Sequence, residues 1–226
     1  MLNDNPASKW ILTAAFFRLA GFFCLLFYVP IFFTKTYPDQ IDEFSKYNAI
    51  IDIFVANIAA LTGGYLSDKL EKDTYFAKPG IIMTTTALAT PLICAGLLQQ
   101  DNFNFSITML CLHFLFGQSF EAPSLTMIQN TSPTKIQGFA AAIFNAFGSL
   151  GGLIATTIIG LVQTNLNAAE HTEIYGQSLA ALIAFTYLGS LPFYYVAGKE
   201  YDKVMRAKDG EMIEEVREAV SGNGEV

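Results

Sequence analysis

Residues 10–33 read WILTAAFFRLAGFFCLLFYVPIFF, with Arg18 as the single charge. At ~1.5 Å rise per residue, a helix of this length crosses the ~30 Å hydrocarbon core of a bilayer. The run is too long for a cleaved signal peptide and lacks a small-residue cleavage pattern. Working outward, five more stretches of similar character follow, about Tyr47–Leu66, Gly80–Leu98, Phe105–Gln129, Gly138–Val162 and Ile174–Ala197. Asp52 and Glu121 are the only charges within them. Soluble helices do not repeat this six times, so the expected fold is all-α, a polytopic membrane bundle of six transmembrane helices.

Composition agrees. The 226 residues are 52% hydrophobic and only 15% charged, against ~25% charged in an average soluble chain. This excludes a disordered chain, a disulfide mini-protein and a basic nucleic-acid binder. Cys24, Cys94 and Cys111 lie in apolar runs without a CxxC partner, and His113 and His171 have no metal-ligand spacing. No metal, cofactor or nucleic acid is expected. The spans carry no HExxH, no GxSxG and no paired aspartates, so an enzyme is not expected either.

Lys and Arg set the orientation. Ten of them (Lys9, Lys69, Lys72, Lys78, Lys135, Lys199, Lys203, Arg206, Lys208 and Arg217) fall on one side, and only Lys35 and Lys46 on the other. The basic side is read as cytoplasmic and, with an even number of spans, holds both termini. The organisation is a cytoplasmic segment 1–8, a bundle 9–198 and an acidic cytoplasmic tail 199–226. The tail reads as a helix with a short apolar stripe, Met212, Ile213 and Val216, interrupted at Gly210 and closed by Ser221-Gly-Asn-Gly.

Ionisable groups inside a span are costly and are functional candidates by default. Arg18 lies nine residues from Lys9, and Glu121 nine from Asn130, each ~13 Å from the basic surface. Asn145, seven residues past Gly138, lies ~10 Å in. Equal depth suggests an Arg18–Glu121 pair, either as a substrate or proton site or as a structural latch, with no contact between the two as the remaining alternative. His113, Gly117 and Glu121 share one helix face, with Gln118 beside them, and Pro123 is expected to kink this span just after Glu121. Asp52, about a turn from the outer surface, can reach water. Gly148 and Gly152 form a GxxxG for close helix packing.

Two junctions carry a resemblance. Gly64-Tyr-Leu-Ser-Asp68-Lys69-Leu-Glu71-Lys72 resembles the G-x-x-x-D-[RK]-x-G-[RK] loop of the major facilitator superfamily. It keeps the Gly, the Asp and both basic residues, and departs at Glu71. The run from Gly117 through Pro123, Pro133, Lys135 and Gly138 to Gly148 and Gly152 is similar to the fourth-to-fifth helix junction of a superfamily half. Phe17-Arg18-Leu-Ala-Gly21 resembles the start of the second half in the spinster-like branch.

The resemblance implies a C-terminal six-helix half of a major-facilitator fold. It implies Gly64, Asp68, Lys69 and Lys72 as a gating loop, and a cavity along spans one and four with Arg18, His113, Gln118 and Glu121 as substrate-binding or coupling residues; Asn145, on the fifth span, is a further candidate by its depth. Superfamily members work by alternating access between two halves. The expected partner is therefore a second half, upstream in the same chain, on a separate chain or a copy of itself. The expected cargo is a small organic solute or lipid-like amphiphile, with protons as a coupling ion through Glu121. The alternative is a non-transporting structural subunit of a larger membrane complex that keeps the half-fold.

Overall fold

The computed structural model describes residues 5–168 and 170–222, with side chains placed through residue 214. The readings made for Val216, Arg217 and residues 223–226 lie outside these. The described chain is helical: α1 Pro6–Thr36, α2 Ile41–Ile50, α3 Ala56–Glu71, α4 Ala77–Leu98, α5 Phe103–Gly117, α6 Glu121–Asn130, α7 Gln137–Asn165 and α8 Glu173–Gly222. Five of these stretches are long and apolar enough to cross a membrane: Pro6–Thr36, Pro38–Glu71, Ala77–Leu98, Thr134–Asn165 and Glu173–Glu214. The remaining crossing is assembled from α5 and α6.

Local sequence explains the ends and the breaks. Asn5 caps α1 by accepting from the Ala7 amide, and Pro6 stands at the first helical position, where its missing amide hydrogen costs nothing. A π-helical turn, Ile51–Val55, joins α2 to α3, and Asp52 on it accepts from Asn48 at 2.9 Å. A 3₁₀ turn, Gln118–Phe120, separates α5 from α6. The break therefore lies before Glu121 rather than after it, as the position of Pro123 had suggested. The reason is geometric: a proline withholds its hydrogen bond from, and crowds, the carbonyl four residues earlier, here Ser119.

In lipid, helix association rests on close packing and interhelical hydrogen bonds. α1 packs most extensively on α8 and α7, and α4 on α8 and α5. Glycines make the approach to α1 possible. A methyl on Gly148 would collide with the Leu19 side chain, one on Gly151 would lie 2.6 Å from the Phe16 carbonyl, and one on Gly152 would lie 2.6 Å from Phe23. Two apolar clusters result. One includes Cys24, Phe32, Phe33, Leu110 and Tyr187, the other Ile11, Leu19, Phe120, Phe144 and Tyr194. Arg18 sits where they meet, touching Tyr187 of the first and Phe120 of the second.

The tail departs from expectation. α8 runs through Gly210 without a break. A helical glycine costs only ~1 kcal/mol relative to alanine. Arg206–Asp202 and Lys203–Glu200 pairs, and a Tyr75 hydroxyl donating to Asp209, hold the flanking turns.

Candidate functional site

The centre of the bundle is organised around Arg18, which is fully buried. Its Nε donates to the Thr86 hydroxyl on α4 at 3.3 Å, and its Nη2 donates to the Gly117 carbonyl at 2.5 Å. The guanidinium carbon lies 4.0 Å from the centroid of the Phe120 ring and 3.6 Å from that of Tyr187. A desolvated cation over an aromatic face gains ~2 kcal/mol or more. Nη1 has no hydrogen-bond partner among the described residues, and neither have the buried Tyr187 hydroxyl and Gln118 Oε1. Each such buried orphan costs ~1–3 kcal/mol.

The acceptor for Nη2 lies at the helix break. In a continuous helix the Gly117 carbonyl would take the amide of Glu121. Here that amide bonds the Gln118 carbonyl instead. Pro123 thus shapes a turn at whose start the Gly117 oxygen, through its second lone pair, also receives Arg18, a use of irregular backbone tolerated at membrane depth where protein surrounds it.

The expected Arg18–Glu121 pair does not form. Glu121 is exposed, and no carboxylate among the described residues lies within ion-pair distance of Arg18. Equal depth fixes height along the bundle normal but not direction around each helix, and α6 turns Glu121 outward. Asn145 on α7 also faces outward, while its neighbour Phe144 is buried. His113 is buried but meets Arg18 only through Tyr187. It stacks on that ring with centroids 5.8 Å apart, and its Nδ1 donates to the Ala89 carbonyl at 3.1 Å. Gln118 is buried in the 3₁₀ turn. Of the five candidate site residues, Arg18, His113 and Gln118 lie inside the half, and Glu121 and Asn145 on its exposed surface.

Sequence reasoning missed Tyr187 and Thr86. A tyrosine within the apolar sixth span was the available signal for Tyr187, because its polar tip needs a partner when buried.

A second polar cluster closes the basic end. Lys78, at 0% exposure, donates to Asp68 at 2.8 Å and also to Glu71. The Tyr201 hydroxyl donates to the other Glu71 oxygen at 2.6 Å and accepts from Asn130 at 2.9 Å. Burial, with the Glu71 carboxylate beside it, keeps the Tyr201 phenol protonated well above the usual tyrosine range. Lys208 donates to the Asn130 carbonyl at 2.6 Å. Lys69 and Lys72, the basic residues of the expected gating loop, are exposed and make no ion pair among the described residues. Glu71, the departure from the loop pattern, is the centre of this network. The tight approach in the loop's helix belongs to Gly63, whose added methyl would lie 2.6 Å from the Ser119 carbonyl. At Gly64 it would meet only Ala122, at 3.2 Å.

The Major Facilitator Superfamily model matches residues 1–156, and the chain belongs to this family. It is an integral membrane protein with several crossings. It is 24% identical over 217 residues to an MFS-type efflux pump of Mycolicibacterium smegmatis, covering 96% of this chain and 48% of that protein. It is 26% identical over 145 residues to the probable galactarate/D-glucarate transporter GarP of Escherichia coli K12, covering 59% of this chain and 32% of that one. It is 24% identical over 170 residues to the probable galactarate/D-glucarate transporter GudP of Bacillus subtilis, covering 70% and 36%. The chain thus spans half or less of the length of these relatives. Among solved structures, a bacterial homolog to the human lysosomal transporter Spinster, inward-facing and unoccupied, superposes with a TM-score of 0.73 at 15% identity, over 90% of this chain and 50% of that one. The fold is half of a major-facilitator fold.

Proposed function

We propose that this chain is the C-terminal six-helix half of a secondary carrier and moves a small organic solute or amphiphile by alternating access with a second half. The second half is supplied upstream in the same polypeptide, by another chain or by a second copy. Both termini lie in the cytoplasm, in keeping with the Lys and Arg distribution. The observation that carries this reading is Arg18: a fully buried cation, held by the Gly117 carbonyl at a helix break, with no carboxylate opposite it among the described residues. A purely structural bundle gains nothing from such a group, since an apolar residue of similar volume does as well or better in its place. The sugar-acid transporters among the relatives favour an organic anion as the solute.

Helices α3 and α7 support a partner half. The crossings that contain them bury the smallest shares of their apolar windows, 17% and 33%. Glu121 and Asn145 are exposed at the bundle surface.

Native mass spectrometry of the detergent-extracted assembly, paired with solute counterflow in liposomes, tests this. A twelve-helix assembly with saturable counterflow is expected. A stable complex of unrelated subunits with no counterflow would contradict it and favour a structural subunit.

A further inference from the structure

We propose that the seam between α1 and α7 holds a membrane phospholipid, with an acyl chain in its apolar lower part and an ethanolamine headgroup in its polar upper part. This lipid is a resident of the seam and not the transported solute, so the site stands or falls apart from the carrier reading.

Two cavities carry the inference. The lower, of about 700 Å³, is walled by Phe23, Phe27 and Ile31 of α1 and by Gly152, Leu153 and Thr157 of α7. The upper, of about 470 Å³, lies toward the end opposite the basic loops, where Gln163 and Thr164 of α7 meet Asn167, Glu170 and Tyr175. Tyr28 and Ile31 line both, so the two form one continuous groove. Leu153 and Phe27 are 64% and 58% exposed, which leaves the groove open along its side.

Polarity changes along the groove as it does through a leaflet. None of the described residues lining the lower cavity is charged. The hydroxyls of Thr156 and Thr157 turn their protons back to the carbonyls of Gly152 and Leu153, at 2.8 Å each. The lower cavity follows α7 from Ser149 to Thr157, ~12 Å of helix, within the ~15 Å of hydrocarbon that one leaflet contributes. The upper cavity is rich in acceptors. Gln163 spends its Nε2 on the Ser178 hydroxyl at 3.2 Å, which leaves Oε1 to accept. Thr164 donates to the Gly160 carbonyl at 2.8 Å, and Tyr28 to the Thr156 carbonyl at 3.1 Å, so their oxygens also accept. With the Glu170 carboxylate these groups fit an ammonium that carries N–H donors. The Asn167 amide and the Tyr175 hydroxyl supply donors for the adjoining phosphate. An ethanolamine phospholipid brings both charges and the N–H groups. A choline head has no N–H, and a glycerol head has no positive charge.

The second half has another surface of α7 to pack on. The bulky exposed residues Leu150, Ile154, Ile158 and Leu161 lie about a third of a turn around the helix from the groove. They form an apolar ridge without the polar end that the groove carries.

The test uses the protein in the assembly in which it is extracted, placed in phosphatidylcholine nanodiscs doped with a phosphatidylethanolamine that bears a diazirine in mid-chain. After irradiation, adducts are mapped by peptide mass spectrometry. We expect them to concentrate on residues 23–31 and 149–157, well above the level at Phe185 of α8, which is 66% exposed. Thr157→Trp fills the groove from an exposed position and is expected to lower them to the Phe185 level. Unlabelled phosphatidylethanolamine is expected to displace the probe, and phosphatidylglycerol at the same mole fraction is not. Glu170→Gln is expected to raise the mole fraction needed by about fivefold, the upper end for an exposed charge pair. If the tryptophan variant does not fold, the displacement series and Glu170→Gln decide. Adducts in proportion to exposure, adducts unchanged by Thr157→Trp, equal displacement by phosphatidylglycerol, or unchanged displacement in Glu170→Gln would each overturn the proposal. Solute counterflow reads the carrier separately.

Discussion

Arg18 on α1 donates to the carbonyl of Gly117, ninety-nine residues away, at the point where the helix turns 3₁₀. A cation, a proline-dependent break and two aromatic rings thereby form one unit across α1, α5 and α8. Its energetics differ from those of a buried ion pair, and the difference is measurable.

Arg18→Met is the clearest case. Were Arg18 paired with a buried carboxylate, removing it would strand that charge at a cost of ~3–5 kcal/mol. No carboxylate among the described residues faces it, so the apolar variant, which keeps much of the stem volume, is expected to melt within a few degrees of the wild type or above it. A thermal-unfolding scan in detergent decides this, and a fall of ten degrees or more would mean that a counter-charge exists.

Pro123→Ala restores the amide hydrogen that Ser119 lacks and permits a continuous helix through 118–120. The Gly117 carbonyl then returns to the ladder and Arg18 loses its firmest acceptor. We expect a folded protein with counterflow lowered by ~10-fold, the scale of one charge-assisted hydrogen bond. Unchanged counterflow would separate the break from the function of Arg18.

Glu121→Gln is expected to leave stability within ~0.5 kcal/mol of the wild type, as for other exposed substitutions without partners. The pH dependence of uptake is expected to flatten, because Glu121 is the ionisable group the fourth crossing turns to the open face. A retained pH profile in liposomes removes Glu121 from coupling.

At the basic end, Lys78→Met leaves Glu71 without its cation. We expect a loss of ~3 kcal/mol, the lower end for breaking a buried pair, because Asp68 is 65% exposed and rehydrates readily. Lys69→Ala and Lys72→Ala are each expected within ~0.5 kcal/mol of the wild type. Chemical denaturation of the three variants side by side checks the contrast, and equal losses would show that the exposed lysines share the load.

These contrasts also mark what the sequence revealed. Long apolar runs placed all six crossings, because a bilayer demands them and nothing else in the chain resembles them. Depth was legible too: Arg18 lies beside Gly117 and Phe120, one turn or less from Glu121. Direction was not. Successive residues turn by ~100° around a helix, so equal height leaves the facing side open, and a local break resets it. Pro123 announced a distortion, but its effect falls four residues upstream, which moved Glu121 to the wrong side of the kink. Lys78 read as one more basic flank, and Glu71 as a flaw in a loop. Only the packing of α3, α4 and α8 shows that each is the other's partner, with Tyr201 as the third member. Gly210 read as a break because its neighbours' side-chain pairs, which sustain α8, are not visible as a pattern of hydrophobicity.

Counterflow of labelled D-glucarate into liposomes, compared between wild type and Arg18→Met in the assembly the chain forms with its second half, bears most directly on the central claim. We expect saturable uptake by the wild type and background uptake by the variant, with both proteins folded and assembled alike. Wild-type rates in the Arg18→Met protein would contradict the claim that this buried cation handles the solute.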